Sequence, residues 1–280
     1  MKHGLILLML VILIGCNAPT AEEKERKSKE ESKVHVQTTK EDTAEEQEDS
    51  VEEESSTAIK DEGEKPEAKE PEVTYTINPA NWTLQTDSKN HKQGVLLTID
   101  DAPDTYGLEM AKTLKKLDVP AIFFVNGHFI ETEEEKKVLK AIHRLGFEIG
   151  NHTMTHANLS NLSVEEQKQE ILTLNEKIES ITGEKSIFFR APFGVNTVFS
   201  KQLTKEQNMM FMNWTYGYDW EAEYQNSNTL ADIMVNTELL TDGAILLAHD
   251  REWTNEALTS IVKGLQDKGY QFIDPDQIVK

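Results

Sequence analysis

The stretch Val95-Leu96-Leu97-Thr98-Ile99-Asp100-Asp101 is the most informative part of the chain, because a mostly apolar run leads directly into two aspartates. A short apolar run with β-branched residues predicts a buried strand, and the two carboxylates then stand at its carboxyl end. Similar apolar runs follow at 121–125, 147–150, 187–190, 209–214, 244–248 and 271–273, with helical patterns between them. Apolar strands that alternate with helices indicate a parallel sheet covered on both faces. About seven such units predict an α/β fold, a closed or nearly closed barrel rather than an open sheet.

Polar side chains stand at or just after the ends of these predicted strands. Besides the two aspartates they are His152, His156, Arg190, Asp219 and His249. In β/α barrels the chemistry gathers at the carboxyl ends of the strands. Polar residues at so many points of one rim are hard to explain as packing, so the sequence predicts a functional site there.

Two histidines and one aspartate have the chemistry of a metal site. His152 and His156 are four residues apart, a spacing that predicts both imidazoles on one face of a helical turn. Two imidazoles and a carboxylate can hold a borderline divalent metal and leave positions open for water and substrate. The other aspartate would stand beside the metal as a candidate base. This combination predicts metal-assisted hydrolysis.

Each feature taken alone has a structural alternative. The Asp100-Asp101 pair would suit a strand-end turn or the cap of the helix near Thr105, and the two histidines could be one core and one surface residue. Arg190 could form a surface ion pair, and His249 could be purely structural. The absence of a glutamate at the second position of the histidine motif argues against an HExxH protease.

Five short motifs, taken in order and spacing, resemble the NodB-homology polysaccharide deacetylases, carbohydrate esterase family 4. They are TIDD at 98–101, HTMTH at 152–156, RAPFG at 190–194, DW at 219–220 and LAH at 247–249. The resemblance covers about residues 90–280. It implies a distorted (β/α)7-type barrel, the NodB homology fold, and a hydrolase of linear amide C–N bonds that acts as a polysaccharide N-deacetylase.

The resemblance implies a catalytic role for most of the rim residues. Three of them would bind the metal, for which zinc is expected and cobalt, nickel or iron are the alternatives: Asp101, His152 and His156. Asp100 would be the general base and His249 the general acid. Arg190 would orient Asp100, and Asp219 would tune His249.

The same resemblance implies substrate contacts and shows two departures from the family pattern. Trp220 and Leu247 would wall a pocket for the acetyl methyl group, and the backbone N–H of Phe193 would help to hold the oxyanion. Ala102 stands where the family usually has glycine, which would crowd the substrate slightly. Tyr216 stands where many members carry an additional aspartate, which weakens the expectation for the tuning of the general acid.

The first 72 residues predict a targeting segment and a linker before a deacetylase domain at 73–280. Leu5–Ile14 is a run of ten apolar residues, too short to span a bilayer comfortably and suited to a signal peptide. The run leads into Gly15-Cys16 at the end of a sequence that resembles a bacterial lipobox, which implies lipidation of Cys16, the only cysteine. An ordinary signal peptide or an uncleaved anchor is the alternative. Residues 17–72 hold 20 acidic and 9 basic residues, which predicts a disordered tether.

The formal net charge of -21 argues against nucleic acid as a partner, because a phosphate backbone would repel the chain. The features together predict a monomer on the outer face of the bacterial cytoplasmic membrane, lipid-anchored and facing the cell wall. The expected reaction removes N-acetyl groups from N-acetylglucosamine-type residues of an extracellular glycan, with peptidoglycan as the expected substrate. The alternatives are a catalytically weak cell-wall-binding lipoprotein, a deacetylase of another polysaccharide such as chitin oligomers, and a deacylase of small amides or esters.

Overall fold

The structure is a computed structural model that describes residues 73–89 and 91–280. The predicted signal segment at 1–16, with Cys16, and the predicted linker at 17–72 lie outside the described residues. Within the described part, none of the helices is long and apolar enough to cross a membrane.

The strands of the described chain form a single sheet. In chain order they are β1 (Thr76–Asn78), β2 (Thr83–Gln85), β3 (Gly94–Ala102), β4 (Ile122–Val125), β5 (Glu148–Asn151), β6 (Phe188–Phe189), β7 (Met210–Phe211), β8 (Ala244–His249) and β9 (Gln271–Phe272). Their order across the sheet is β1-β2-β8-β3-β4-β5-β6-β7, and β9 pairs with the start of β3. The pairs β1–β2 and β2–β8 are antiparallel, and all other pairs are parallel.

The sheet curls into an incomplete barrel. One buried apolar cluster contains side chains from β2, β3, β4, β6, β7 and β8, among them Leu84, Leu96, Phe124, Phe188 and Ile245. Strands that lie far apart in the sheet order can share one cluster only if the sheet bends around it. No ladder among the described residues joins β1 to β7, so the barrel stays open between these two strands.

Helices cover the outer face of the sheet. They are α1 (Gly107–Lys116), α2 (Glu133–Arg144), α3 (Val164–Thr182), α4 (Val198–Glu206), α5 (Ser227–Asn236) and α6 (Glu252–Asp267). Helix α3 begins with a capping box, in which Ser163 and Glu166 each accept a hydrogen bond from the other's backbone. It ends at Gly183, whose φ of 95° is a left-handed conformation that glycine adopts without steric cost.

Alternate side chains of β3 face different surroundings, either the helices outside the sheet or the interior of the barrel. Val95, Leu97 and Ile99 pack into the cluster between the sheet and the helices, whereas Leu96 faces the barrel interior. Because successive side chains of a strand point to opposite faces, Thr98 and Asp100 follow Leu96 on the interior face. The strand therefore delivers a hydroxyl and a carboxylate to the open, carboxyl end of the barrel.

The predicted barrel is confirmed, and two parts of it differ from the sequence-based expectation. Strands β1 and β2 are absent from the prediction, since three-residue strands carry too few residues for a clear period. The predicted strand at 209–214 is shorter, because only Met210–Phe211 pairs with β6.

Candidate active site

A fully buried arginine holds Asp100 at the carboxyl end of β3. Arg190 follows β6, and its Nη1 donates hydrogen bonds to Thr98 Oγ1 at 2.8 Å and to Asp100 Oδ1 at 2.7 Å. Its Nη2 donates to the backbone oxygen of Asn213 at 3.0 Å, and its guanidinium lies 4.3 Å from the ring centre of Phe124. Burial lowers the pKa of Arg190, and the charge and hydrogen bond of Asp100 oppose that shift. A buried cation requires such a partner, so the pair fixes the orientation of Asp100.

Asp101 meets the two histidines of the HTMTH motif. Asp101 Oδ1 lies 3.4 Å from His156 Nε2 and 3.9 Å from His152 Nε2, and one donor atom from each residue lies within 4.8 Å of the others. Within the described residues Asp101 Oδ1 is buried and accepts no hydrogen bond. Buried polar atoms rarely lack a partner, and a carboxylate oxygen beside two imidazole nitrogens is a donor set that zinc accepts. The residues therefore fit a divalent metal.

The neutral form of His152, which can bind a metal, is favoured by its surroundings. Its Nδ1 lies 2.8 Å from the backbone oxygen of Arg190, an acceptor, so Nδ1 carries the hydrogen and Nε2 keeps its lone pair toward Asp101. Burial lowers the pKa of His152 and outweighs the opposing charges of Asp100 and Asp101. Burial likewise lowers the pKa of His156.

The carboxylate of Asp101 is favoured in its charged form. Burial alone would raise its pKa, but attraction to His249, His152 and His156 in their protonated forms and to the Arg251 guanidinium outweighs burial and lowers it. The backbone of Asp101 has a φ of 58°, in the left-handed region that few residues other than glycine adopt.

His249, at the end of β8, is paired with Asp219. His249 Nδ1 lies 2.7 Å from Asp219 Oδ1, and the backbone N–H of His249 donates to Asp219 Oδ2 at 2.6 Å. The hydroxyl of Thr254 donates to the same Oδ2 at 2.8 Å. Burial alone would lower the pKa of His249, but the hydrogen bond and charge of Asp219 outweigh burial and raise it. The second ring nitrogen, Nε2, is therefore the one available to a molecule in the cleft.

A cleft of about 570 Å³ connects these groups. Its lining residues are Asp100, Asp101, His152, His156, Phe193, Trp214, Asp219, Trp220, Gln225, Leu247, His249, Arg251 and Trp253. The structure thus brings together all the site residues predicted at the rim, with Arg190 directly behind Asp100. Cys16, the predicted lipidation site, lies outside the described residues.

Comparison with known proteins identifies the family. Residues 87–212 match the family model described as polysaccharide deacetylase. A peptidoglycan-N-acetylglucosamine deacetylase of Bacillus cereus is 29% identical over 192 residues, which are 65% of this chain and 67% of that protein. The peptidoglycan-N-acetylmuramic acid deacetylase PdaA of Bacillus subtilis is 29% identical over 190 residues, 66% of this chain and 71% of that protein. A mutant of BA3943, a CE4 family pseudoenzyme from Bacillus anthracis, has restored enzymatic activity and is 31% identical over 67% of each chain, with a TM-score of 0.60.

The chain belongs to the polysaccharide deacetylase family. The predicted family, its fold and the enzyme class, a polysaccharide N-deacetylase, are confirmed at this level. The family model ends at residue 212, before the predicted DW and LAH motifs. The structure nevertheless places Asp219 and His249 in the same cleft as the three earlier motifs.

One structural expectation for this polysaccharide deacetylase was wrong. His152 and His156 do not share a face of a helical turn, because the segment from 152 to 156 is a loop after β5 and contains no helix. Thr153 has a φ of 70° and His156 a φ of 58°, so the chain turns back on itself. The two imidazoles, 5.1 Å apart between ring centres, meet through this turn.

The two departures from the family pattern have little effect on the cleft. Ala102 is fully buried and does not line the cleft, so its methyl group does not crowd a substrate there. The Tyr216 hydroxyl donates to the backbone oxygen of Met234 at 2.8 Å, inside the core. Tyr216 therefore leaves the contact between Asp219 and His249 unaltered.

Sequence reasoning missed several residues in or beside the polysaccharide deacetylase cleft. Thr98, within the TIDD motif, was given no role of its own; it is fully buried and does not line the cleft, but its hydroxyl accepts a hydrogen bond from Arg190, and the alternation along β3 could have placed it beside Asp100. Arg251 and Trp253 follow His249 closely in sequence; Arg251 contacts Asp101, and the Trp253 indole N–H donates to the backbone oxygen of Asp219 at 2.8 Å. Trp214 and Gln225 also line the cleft, and no sequence signal marks them.

Proposed function

We propose that this protein hydrolyses N-acetyl groups from N-acetylglucosamine-type residues of an extracellular glycan, with peptidoglycan as the substrate and acetate as a product. The main support for the proposal is that Asp101, His152 and His156 converge on one point of the cleft. The same cleft contains Asp100 and His249. The similarity to deacetylases whose names specify peptidoglycan supports the choice of glycan.

The proposed metal is zinc, held by Asp101, His152 and His156. The donor set of two imidazoles and one carboxylate suits zinc, and cobalt, nickel or iron are the alternatives. When bound, such a metal supplies Lewis acidity, which polarises an amide carbonyl and makes water a stronger acid.

Asp100 is proposed as the general base. Its Oδ1 accepts the hydrogen bond of Arg190, and its Oδ2 lies 3.5 Å from His152 Nε2 at the donor set. Arg190 therefore holds one oxygen in place while the other faces the reacting centre. Asp100 Oδ2 is the atom that would take a proton from the attacking water.

His249 is proposed as the general acid. The amine of an amide leaves poorly as an anion, so a proton must reach the nitrogen as the C–N bond breaks. The raised pKa of His249 keeps its ring protonated at higher pH, and the bond from Nδ1 to Asp219 directs Nε2 toward the substrate. The carboxylate of Asp219 also offsets the positive charge on the ring.

Apolar and backbone groups would hold the acetyl group. Trp220 and Leu247 line the cleft, and the indole of Trp220 lies 5.6 Å from the His249 ring between centres. These two side chains are proposed to contact the acetyl methyl group. The backbone N–H of Phe193 is proposed to donate to the oxyanion of the tetrahedral intermediate, a contact that contributes most when it is positioned in advance.

We propose that the protein is a lipoprotein anchored through Cys16 to the outer face of the bacterial cytoplasmic membrane. The apolar run Leu5–Ile14 that leads into Gly15-Cys16 supports this proposal.

A second candidate function is a catalytically weak cell-wall-binding lipoprotein. The specific observation in its favour is that one similar protein, BA3943, is described as a CE4 family pseudoenzyme. The presence of a candidate base, a candidate acid and three donor residues in one cleft favours the enzyme.

The deciding experiment is mass spectrometry of glycan fragments incubated with the full-length protein and zinc. Loss of one acetyl group from peptidoglycan fragments is expected, and fragment masses after chain cleavage assign it to glucosamine or muramic acid. Asp100→Asn is the matched control, because it keeps the shape of the side chain and removes the base. Equal rates for the wild type and this variant would favour the binding role. Faster release of acetate from chitin oligomers than from peptidoglycan would replace the proposed substrate.

A further inference from the structure

The two oxygens of the Asp101 carboxylate have different partners. Oδ2 accepts a hydrogen bond from Arg251 Nη2 at 2.8 Å, a distance typical of a charge-assisted bond. Oδ1 faces His152 and His156 and accepts no hydrogen bond among the described residues. The guanidinium therefore occupies one oxygen and leaves the other free toward the imidazoles.

The backbone around Arg251 is fixed to the backbone around Asp101. The backbone N–H of Asp250 donates to the backbone oxygen of Asp100 at 3.1 Å. The Asp250 carboxylate, which is 1% exposed, accepts the backbone N–H groups of Asp104, Tyr106 and Gly107. The segment after β8 and the segment after β3 thus form one rigid frame, which sets the distance between Arg251 and the carboxylate.

This pair differs from an ordinary surface ion pair. The side chain of Asp101 is 11% exposed and that of Arg251 is 36% exposed, so the bond is shielded on the carboxylate side. Arg251 Nη1 also donates to the backbone oxygen of Asp250 at 2.9 Å, which restrains the side chain further. A long side chain held at both its backbone and its tip loses little additional freedom when it binds a carboxylate.

We propose that Arg251 is a positioning residue that presents Asp101 to the metal through a single oxygen, Oδ1. The inference rests on the proposed role of Asp101 as a metal ligand. A carboxylate whose second oxygen is held by a guanidinium cannot rotate to offer both oxygens. Groups that orient a ligand in this way typically contribute 10–100-fold to metal affinity.

Arg251 also lines the cleft, so a different role would make a different prediction. If it bound the substrate, its loss would raise KM and leave metal affinity unchanged. If it only stabilised the fold, its loss would lower the melting temperature and leave metal affinity unchanged in the folded protein. Metal affinity therefore separates the positioning role from both of these.

The test compares two variants of the full-length protein, Arg251→Met and Arg251→Lys. Methionine keeps much of the stem and removes the donor and charge, whereas lysine keeps a charged donor of similar reach. Zinc affinity is measured by competition with a chromophoric chelator, and the visible spectrum of the cobalt-loaded protein reports the coordination. Arg144→Met is the matched control, since Arg144 is an exposed arginine at the end of α2.

The expected result is a 10–100-fold loss of zinc affinity in Arg251→Met with an altered cobalt spectrum. Most of the affinity should return in Arg251→Lys, and Arg144→Met should match the wild type. Wild-type zinc affinity in Arg251→Met would overturn the inference, whether or not KM rises. If Arg251→Met does not fold, Arg251→Gln replaces it, because the shorter side chain cannot reach Asp101. Absence of zinc binding in the wild type would instead refute the proposed function, so the two failures are distinguishable.

Discussion

Glu148 gives a prediction whose size follows from the structure. It begins β5, at the opposite end of the strand from His152. Burial raises the pKa of Glu148 to about 7, and the negative charges of Asp276, Glu184 and Asp274 add to the effect. In the unfolded chain the ordinary value is 4.5. The folded protein therefore binds this proton more tightly, and the free energy of unfolding should fall as the pH rises from 4.5 to 7.

The difference of about 2.5 between these pKa values corresponds to about 3 kcal/mol. Glu148 is only partly exposed, but the solvent that reaches it still weakens the effect of burial. The charge of Glu148 is therefore expected to destabilise the folded protein by about 1–3 kcal/mol. Glu148→Gln keeps the shape of the side chain and removes the charge. The variant should therefore be more stable than the wild type by about 1–3 kcal/mol at pH 8, and by less than about 1 kcal/mol at pH 5.

Urea denaturation of the full-length protein at pH 5 and pH 8 measures the two differences. Glu256→Gln is the matched control, since Glu256 is an exposed glutamate on α6. Activity at a temperature where both proteins are folded should not change, because Glu148 lies away from the cleft. A stability gain of the same size at both pH values, or no gain at pH 8, would show that the charge of Glu148 does not destabilise the folded protein.

The remaining predictions concern the site and the anchor. Asp219→Asn removes the charge that raises the pKa of His249, so the alkaline limb of the kcat/KM profile should move to lower pH; an unmoved limb would exclude His249 as the acid. His152→Ala removes one of three metal donors and should reduce zinc measured by plasma emission to background, whereas unchanged zinc would contradict the assignment. Cys16→Ala should move the protein from the membrane fraction to the soluble fraction, and continued retention in the membrane would count against lipidation.

The gathering of the predicted site residues at one rim was accessible from the sequence for a physical reason. Parallel strands place their carboxyl ends at one rim, so residues such as Asp100 and His249 could be assigned to the same site once their strands were recognised. The structure shows how close this relation is, because Asp100 and His249 are partners in the register between β3 and β8. Residues more than a hundred positions apart in the sequence are therefore direct neighbours in the sheet.

The contacts that connect the site residues were not accessible in the same way. Arg251 reaches Asp101 only because Asp250 ties the segment after β8 to the segment after β3. Neither hydrophobic periodicity nor a sequence motif predicts these hydrogen bonds, because they depend on how two loops pack against each other. Strands β1 and β2 were missed for a related reason, since each has only three residues and β2 joins the sheet through Ala244 of the distant strand β8.

Backbone strain explains why motif spacing predicted the wrong geometry for the HTMTH segment. Asp101, Thr153, His156 and Phe193 have φ between 58° and 70°, a region that costs side-chain-bearing residues on the order of 1–3 kcal/mol each. Local preference therefore opposes the observed turns, and helical spacing was the wrong model for the HTMTH segment. Strained backbone conformations are concentrated at functional sites, where contacts from the surrounding structure hold the backbone in place.

Those contacts come from residues outside the motif. The side-chain amide of Asn126, after β4, donates to the backbone oxygen of His152 at 2.6 Å, and Thr153 N–H donates to Asn151 Oδ1 at 3.0 Å. The Glu170 carboxylate on α3 accepts both the backbone N–H and the hydroxyl of Thr155. These groups hold the loop in a conformation its own sequence disfavours. The distance between the two imidazoles is therefore a property of β4, β5 and α3 together, which no spacing within the HTMTH motif could have supplied.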